Sequence, residues 1–301
     1  MHGHLDAKRK PQDTLILMIF IGIWNHAEDA HTMSRSLAEQ LQTARVYDLE
    51  QPRFLGMPIY PTHRPGYFYG LHRRHRDNYR PEVQGPRTGS SGTLVMMEHS
   101  GTHIDALCHQ ACDLKMYGNV AVDSVETPAG FTKLGIETVP PLLRRGVLLD
   151  IAGWKKQSPL PNRYSISADE MQACAAAQKV DVRSGDVLLV RTGYGAIWND
   201  ETAYLQAAGV AKSGTLWAAE HGVCAVGADN MSWDVLDERD PESGATLFAH
   251  YYLLPQKGVY IMENLNLEEL ARDRRYEFAF IGVPLKFKGA TGSPIRPLAL
   301  V

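Results

Sequence analysis

Short apolar runs recur along this chain with turn residues between them, and that rhythm limits the fold more than any other feature. "TLVMME", "GVLLDIAGW", "DVLLVRTGY", "GVCAVGAD", "GVYIMEN" and "YEFAFIGVPL" are rich in Val, Ile or Leu and short enough to favour strands over buried helices. Helical segments interrupt them. "SADEMQACAAAQK" opens with Ser167 three residues before Glu170, the capping-box spacing that satisfies amide donors at a helix start. "TAYLQAAG" ends in Gly209, "SGTLWAAEHG" ends in Gly222, and "LEELARD" adds a last short turn. Strands alternating with helices predict an α/β domain with a mixed β-sheet. No repeat and no linker divides the pattern, so residues 33–301 are expected to form one domain.

With 301 residues, 44% of them hydrophobic, the chain can bury a sizeable core. A net charge of -3 gives no field that favours nucleic acid or an acidic membrane, so the expected partner is a small molecule. Cys108, Cys112, Cys174 and Cys224 are the only cysteines, which argues against a secreted disulfide scaffold and for reduced thiols in the cytoplasm. Near the start, basic residues precede an apolar run from Leu15 to Trp24 that is too short to span a bilayer. Residues 1–32 are therefore read as an extension before a start at Met33, or alternatively as an export signal.

Between Tyr67 and Gly92 the composition changes. "LHRRHRDNYR" and "GPRTGSSG" cannot build a core and read as loop or lid, either a solvated surface or a segment that orients an anionic substrate. Tyr67 and Tyr69 of "YFYG" either line a pocket or cover a core edge.

The stretch "EHSGTHIDALCHQ" crowds three histidines and two carboxylates into residues that otherwise read as the end of a buried strand, the run "TLVMME". On a continuous helix His99 and His103 share a face but Asp105 points away. On a continuous strand all three share a face, yet the outer two lie roughly 20 Å apart at ~3.3 Å per residue. A strand that ends near Glu98 and bends sharply at Gly101 brings them together, because glycine accepts backbone angles closed to other residues. Two imidazoles and a carboxylate suit Zn, Mn or Fe, and three protein ligands leave a position for water. His109, four residues after Asp105, returns to the same face if "DALCHQ" turns helically, and can then carry protons. Cys108 is a candidate nucleophile or a small buried hydrophobe. Asp229 and Asp234 of "GADNMSWD" are either partners that fix a histidine's tautomer or loop caps.

"HSGTHIDALCH" resembles the H-x-G-T-H-x-D-x-P-x-H motif of the putative cyclase family, which includes bacterial kynurenine formamidases and isatin hydrolases. "GADNMSWD", "VLLVRTGY", "GVYIMENLNL" and "GATGSPIRPLAL" are similar to further segments of that family. The resemblance implies a swivelling β/β/α domain, a divalent metal such as Zn or Mn held by His99, His103 and Asp105, and a proton-handling role for His109. It also implies that His250 and Glu263 transfer protons or hold a second metal, and that the protein is a homo-oligomer, a dimer or tetramer. Leu107 replaces the usual Pro, and the spacing from His250 to Glu263 is one residue longer than usual, which places Glu263 in question. The expectation is a metal-dependent hydrolase that opens a C–N bond of a small amide, formamide or lactam with activated water. A lactone hydrolase or cyclase of the same family, a non-enzymatic metal-binding protein and a metal-free thiol enzyme are the alternatives.

Overall fold

The structure, a computed structural model, describes residues 36–301. The expected extension over residues 1–32 lies outside them. The chain divides into two compact units, one ending at Arg45 and the other spanning Val46–Val301. In the first, residues 36–43 are helical, as "SRSLAEQLQTA" predicts.

The second unit is built on a nine-stranded mixed sheet. Its strands, numbered in chain order, are β1 (Val46–Asp48), β2 (His103–Asp105), β3 (Leu142–Asp150), β4 (Val187–Arg191), β5 (Ala225–Ala228), β6 (Tyr260–Glu263), β7 (Glu277–Gly282), β8 (Gly292–Pro294) and β9 (Leu298–Leu300). They lie in the order β1-β9-β7-β3-β4-β5-β6-β2-β8. The central strands β3 to β6 are mutually parallel, and the pairings outside them are antiparallel. Parallel strands covered on both faces read as unbroken apolar runs, which is why "VLLV" carries no polar residue. Alternate residues still enter different cores: Val147, Leu149, Leu188 and Val190 on one face, Leu148, Val187, Leu189 and Met262 on the other.

Helices α1 (Ala168–Gln178), α2 (Lys212–Glu220) and α3 (Phe248–Tyr252) occupy the three parallel crossovers. Because β3 to β6 follow chain order and such crossovers share one hand, the helices fall on one face of the sheet. Met171, Cys174, Ala218 and Ala249 accordingly join a single core. The Ser167 hydroxyl accepts from the Glu170 amide at 3.3 Å, and Glu170 accepts from the Ser167 amide at 3.0 Å, completing the expected capping box. Gly222, just past α2, takes the left-handed conformation with φ +70°.

Two local expectations fail. Gly209 ends no helix: the helix before it stops at Tyr204, and a Cβ on Gly209 would lie 2.3 Å from the Asp234 carbonyl oxygen, so this glycine permits backbone to meet backbone. "TLVMME" is a strand but not a core strand. Ser91–Met96 pairs only with Tyr67–Arg73, forming a hairpin outside the large sheet with Leu94 and Val95 exposed. The stretch read as loop or lid therefore begins as a strand. Apolar content marks a strand but does not say what covers it. Among the described residues no helix is long and apolar enough to cross a membrane.

Burial works against ionisation of Glu170, but hydrogen bonds from Lys155, the Ser167 amide and Tyr164 outweigh it and hold the carboxyl at about 2, below its ordinary 4.5. A carboxyl depressed by folding stabilises the fold above its unfolded value, and that contribution is lost as pH falls through the folded one. Ser167→Ala is expected to cost about 1 kcal/mol in urea unfolding at pH 7. Glu170→Gln is expected to flatten the decline in stability between pH 4.5 and about 2.

Candidate metal centre

The register of β2 against β6 sets the site. His103 lies opposite Glu263, and Ile104 opposite Met262. Side chains alternate across a strand, so His103, Asp105 and Glu263 face one way while Ile104 and Met262 enter the core on the other side. Ile261 belongs to the helix-side core, which puts Glu263 on the helix side as well. There α3 supplies His250. The cluster lies beyond the carboxyl ends of β5 and β6, where open α/β sheets place their ligands.

Bringing in His99 takes a bend. Gly101 has φ +64°, the left-handed conformation, and turns the chain into β2 as "SGT" predicts. Asn264, directly after Glu263, locks this turn: its side chain donates to the Gly101 carbonyl at 3.0 Å, and its own carbonyl accepts from Thr102 Oγ1 at 2.6 Å. His99 Nδ1 then lies 2.8 Å from Asp105 Oδ1. His109 returns through a single turn, not a helix, its amide donating to Ala106 at 3.0 Å. Its ring stacks on His99 with centroids 3.9 Å apart. Between His250 and Glu263 the chain makes a π-helical turn over Leu253–Lys257. Glu263 thereby reaches both His250 Nε2, at 3.0 Å, and His103 Nε2, at 3.2 Å. His99, His103, Asp105, His109, His250 and Glu263, the six residues read from the sequence as ligands or proton carriers, line one cleft.

Proton positions test whether a cation belongs there. His103 Nδ1 lies 2.8 Å from the Gly101 carbonyl, which can only accept, so that nitrogen carries the proton. In the neutral ring Nε2 then turns a lone pair toward Glu263 Oε2 and toward Asp105 Oδ1, the latter 3.5 Å away. His250 is also held at its other nitrogen, Nδ1 lying 3.2 Å from Asp234 Oδ2, and its carboxylate neighbours favour a proton on both nitrogens. Its Nε2 lies 3.4 Å from Asp105 Oδ2 without hydrogen-bond geometry, and that buried oxygen has no hydrogen-bond partner among the described residues. Acceptors facing acceptors out of water are costly unless positive charge lies between them. Burial alone would lower His103 and His250, yet Glu263, Asp105 and Asp234 raise them. Burial alone would raise Asp105 and Glu263, yet the surrounding histidines lower both. The pocket thus attracts cations, and its nitrogen and oxygen donors suit a divalent ion such as Zn or Mn. His99, His103 and Asp105 offer ligand atoms within 4.8 Å of one another, and so do Asp105, His109 and His250.

The open alternatives separate here. Asp234 faces His250, whereas Asp229 accepts from Thr192 and from the amides of Gly193 and Gly195, so it pins the "RTGYG" loop. Neither Tyr67 nor Tyr69 lines the cleft; Tyr60 and His63 do. His63 donates from Nδ1 toward the His99 carbonyl at 3.2 Å, and burial, with His99 and His103 nearby, lowers its pKa. In the sequence His63 carries no signal beyond its place in the Pro-rich "PTHRP". Burial pushes the Cys108 thiol up to about 12.

A buried imidazole–carboxylate cluster beyond the strand ends of a mixed α/β sheet defines the class, an α/β domain with a candidate divalent-metal centre. The chain belongs to the putative cyclase family, whose model, described as "Putative cyclase", matches residues 47–235. It is 26% identical over 263 residues to a kynurenine formamidase of Bacillus cereus, covering 85% of this chain and 97% of that protein. Among solved structures it is similar to one described as a novel cyclase, at TM-score 0.75 and 31% identity, covering 87% of this chain and 88% of the other. It shares its fold with isatin hydrolase A from Ralstonia solanacearum, at TM-score 0.67 and 20% identity, covering 90% and 97%.

A thiol held near 12 contains almost no thiolate at pH 8. Iodoacetamide at that pH is expected to leave Cys108 unmodified by mass spectrometry and activity intact. Inactivation in step with Cys108 labelling would restore the thiol reading.

Proposed function

We propose that the protein hydrolyses a C–N bond of a small amide, formamide or lactam with a divalent ion held by His99, His103 and Asp105. The observation that carries this is the buried, unbonded Asp105 oxygen among imidazole lone pairs. It faces a cleft of about 130 Å³ whose lining includes Tyr60, Thr62, His63, Gln110, Met231 and Leu247. Relatives named kynurenine formamidase and isatin hydrolase support the C–N class. The cleft supports an enzyme over a sealed metal-binding protein.

When bound, such an ion supplies Lewis acidity and makes water acidic enough to ionise near neutral pH. The chain's residues supply the rest. Burial lowers His109 to about 3 and so keeps it neutral, with a lone pair for the proton of the attacking water. His250, kept charged by its carboxylate neighbours, delivers a proton from Nε2 to the leaving nitrogen, while Asp234 on Nδ1 aims that atom into the cleft. Groups whose surroundings push their proton affinities apart suit base and acid roles. Glu263, between His103 and His250, orients both. Tyr60 and His63, with ring centroids 5.6 Å apart, offer an aromatic wall to a planar substrate.

One observation favours a second version. Asp105 and Glu263 both lie within reach of His250 Nε2, so a second ion held by Asp105, His250 and Glu263 would make His250 a ligand instead of an acid. We also infer a homo-oligomer, a dimer or tetramer. The hairpin exposes Phe68, Tyr69, Leu71, Leu94 and Val95, and a two-stranded hairpin with an uncovered apolar surface is marginal in water. Free cysteines support a reducing, cytoplasmic compartment.

Chelator-treated protein is expected to lose hydrolysis of N-formyl-anilides and isatin-like lactams, and to recover it with Zn or Mn. His103→Ala should lose both metal and turnover; a variant that kept both would refute the assignment. Elemental analysis decides between one ion per chain and two. Leu94→Glu is expected to lower the sedimenting mass, and a wild-type protein that sediments as a monomer would remove the oligomer.

A further inference from the structure

Thr291, in the loop that enters β8, is held from three directions. Its carbonyl accepts from the Ala106 amide at 2.8 Å, its amide donates to Glu98 Oε1 at 3.1 Å, and its hydroxyl contacts both that Glu98 oxygen and His99 Nε2, the latter at 2.7 Å. A threonine hydroxyl has one proton to give. Glu98 Oε1 already accepts from the Thr291 amide, so it is an acceptor, and a hydroxyl proton spent on His99 would leave two oxygen lone pairs in contact. The proton therefore goes to Glu98. The hydroxyl oxygen must then accept from His99, which places that ring's proton on Nε2 and the lone pair on Nδ1, facing Asp105 Oδ1 at 2.8 Å.

The neighbouring residue fits this placement. A Cβ on Gly292 would lie 2.6 Å from His99 Cε1 and 3.0 Å from Nδ1, so the start of β8 is cut to the outline of the ring. His109 stacks on the ring as well.

We propose that Thr291, anchored by Glu98, is a positioning residue for the metal centre, its hydroxyl accepting the Nε2–H of His99 and so presenting Nδ1 as the ligand atom. This rests on the metal centre proposed above. It extends the centre to the C-terminal loop, about 190 residues from the ligand motif, through partners that tune a ligand without touching the ion.

The experiment compares zinc affinity by competition with a chromophoric chelator, using apo protein whose fold is checked by circular dichroism. Thr291→Val, similar in shape but without the acceptor, is expected to bind zinc about 10–100-fold more weakly, and Thr291→Ser to stay within about threefold of wild type. In zinc-loaded wild type, nitrogen-15 NMR of the histidine rings should show His99 protonated at Nε2, a readout that does not depend on any variant folding. Thr291→Val binding zinc as wild type does, Thr291→Ser binding as weakly as Thr291→Val, or His99 protonated at Nδ1 would each overturn the proposal while leaving the metal centre intact. Wild-type protein that binds no zinc or manganese would overturn the centre itself, and this proposal with it.

Discussion

Carboxylate oxygens and imidazole lone pairs face one another at the buried floor of a cleft, and the structure around them is arranged to make that tolerable. Three of the histidines are turned by a partner at their other nitrogen: His103 by the Gly101 carbonyl, His250 by Asp234, and His99 by Thr291. Those partners lie in the turn before β2, the segment after β5 and the loop before β8. The centre is therefore only as well ordered as the packing between these segments. Positive charge beside Asp105 is what the cluster needs, and a divalent ion meets that need while leaving His99 and His103 neutral as ligands.

The sheet serves this cluster through register. Pairing β2 against β6 one residue out of step would turn His103 and Asp105 into the core and present Ile104 to the cleft, because side chains alternate with period two. Asn264 guards against such a slip. Its left-handed backbone (φ +56°) ends β6, and its side chain and carbonyl hold the Gly101 turn, so the bend that recruits His99 and the strand that carries Glu263 are fastened to each other.

Much of this was legible before any coordinates. The apolar runs from Gly146, Asp186, Gly222, Gly258 and Tyr276 became strands of the large sheet, the Ser167 capping box formed, and Gly101 bends as its place in the motif requires. What was misread has physical causes. "TLVMME" has strand-forming residues, but exposure depends on what lies over a strand, and composition does not carry that. Gly209 looked like a helix stop because its real duty, letting the Asp234 backbone approach, involves a residue distant in sequence. Glu263, left in question by its spacing from His250, reaches the cluster through a π-turn over Leu253–Lys257, which no local pattern in the sequence marks.

The local chain determined which groups could gather. From residue 99 to residue 109 the ligand types, the glycine hinge and the return to one face follow from backbone angles and side-chain periodicity, which act over a few residues. Only the tertiary structure decided which nitrogen of each ring faces inward and which distant residues complete the cluster. Those choices depend on hydrogen bonds with Asp234, Asn264 and Thr291, single polar residues whose partners are set by strand register and loop packing, and so they leave no periodic mark in the sequence.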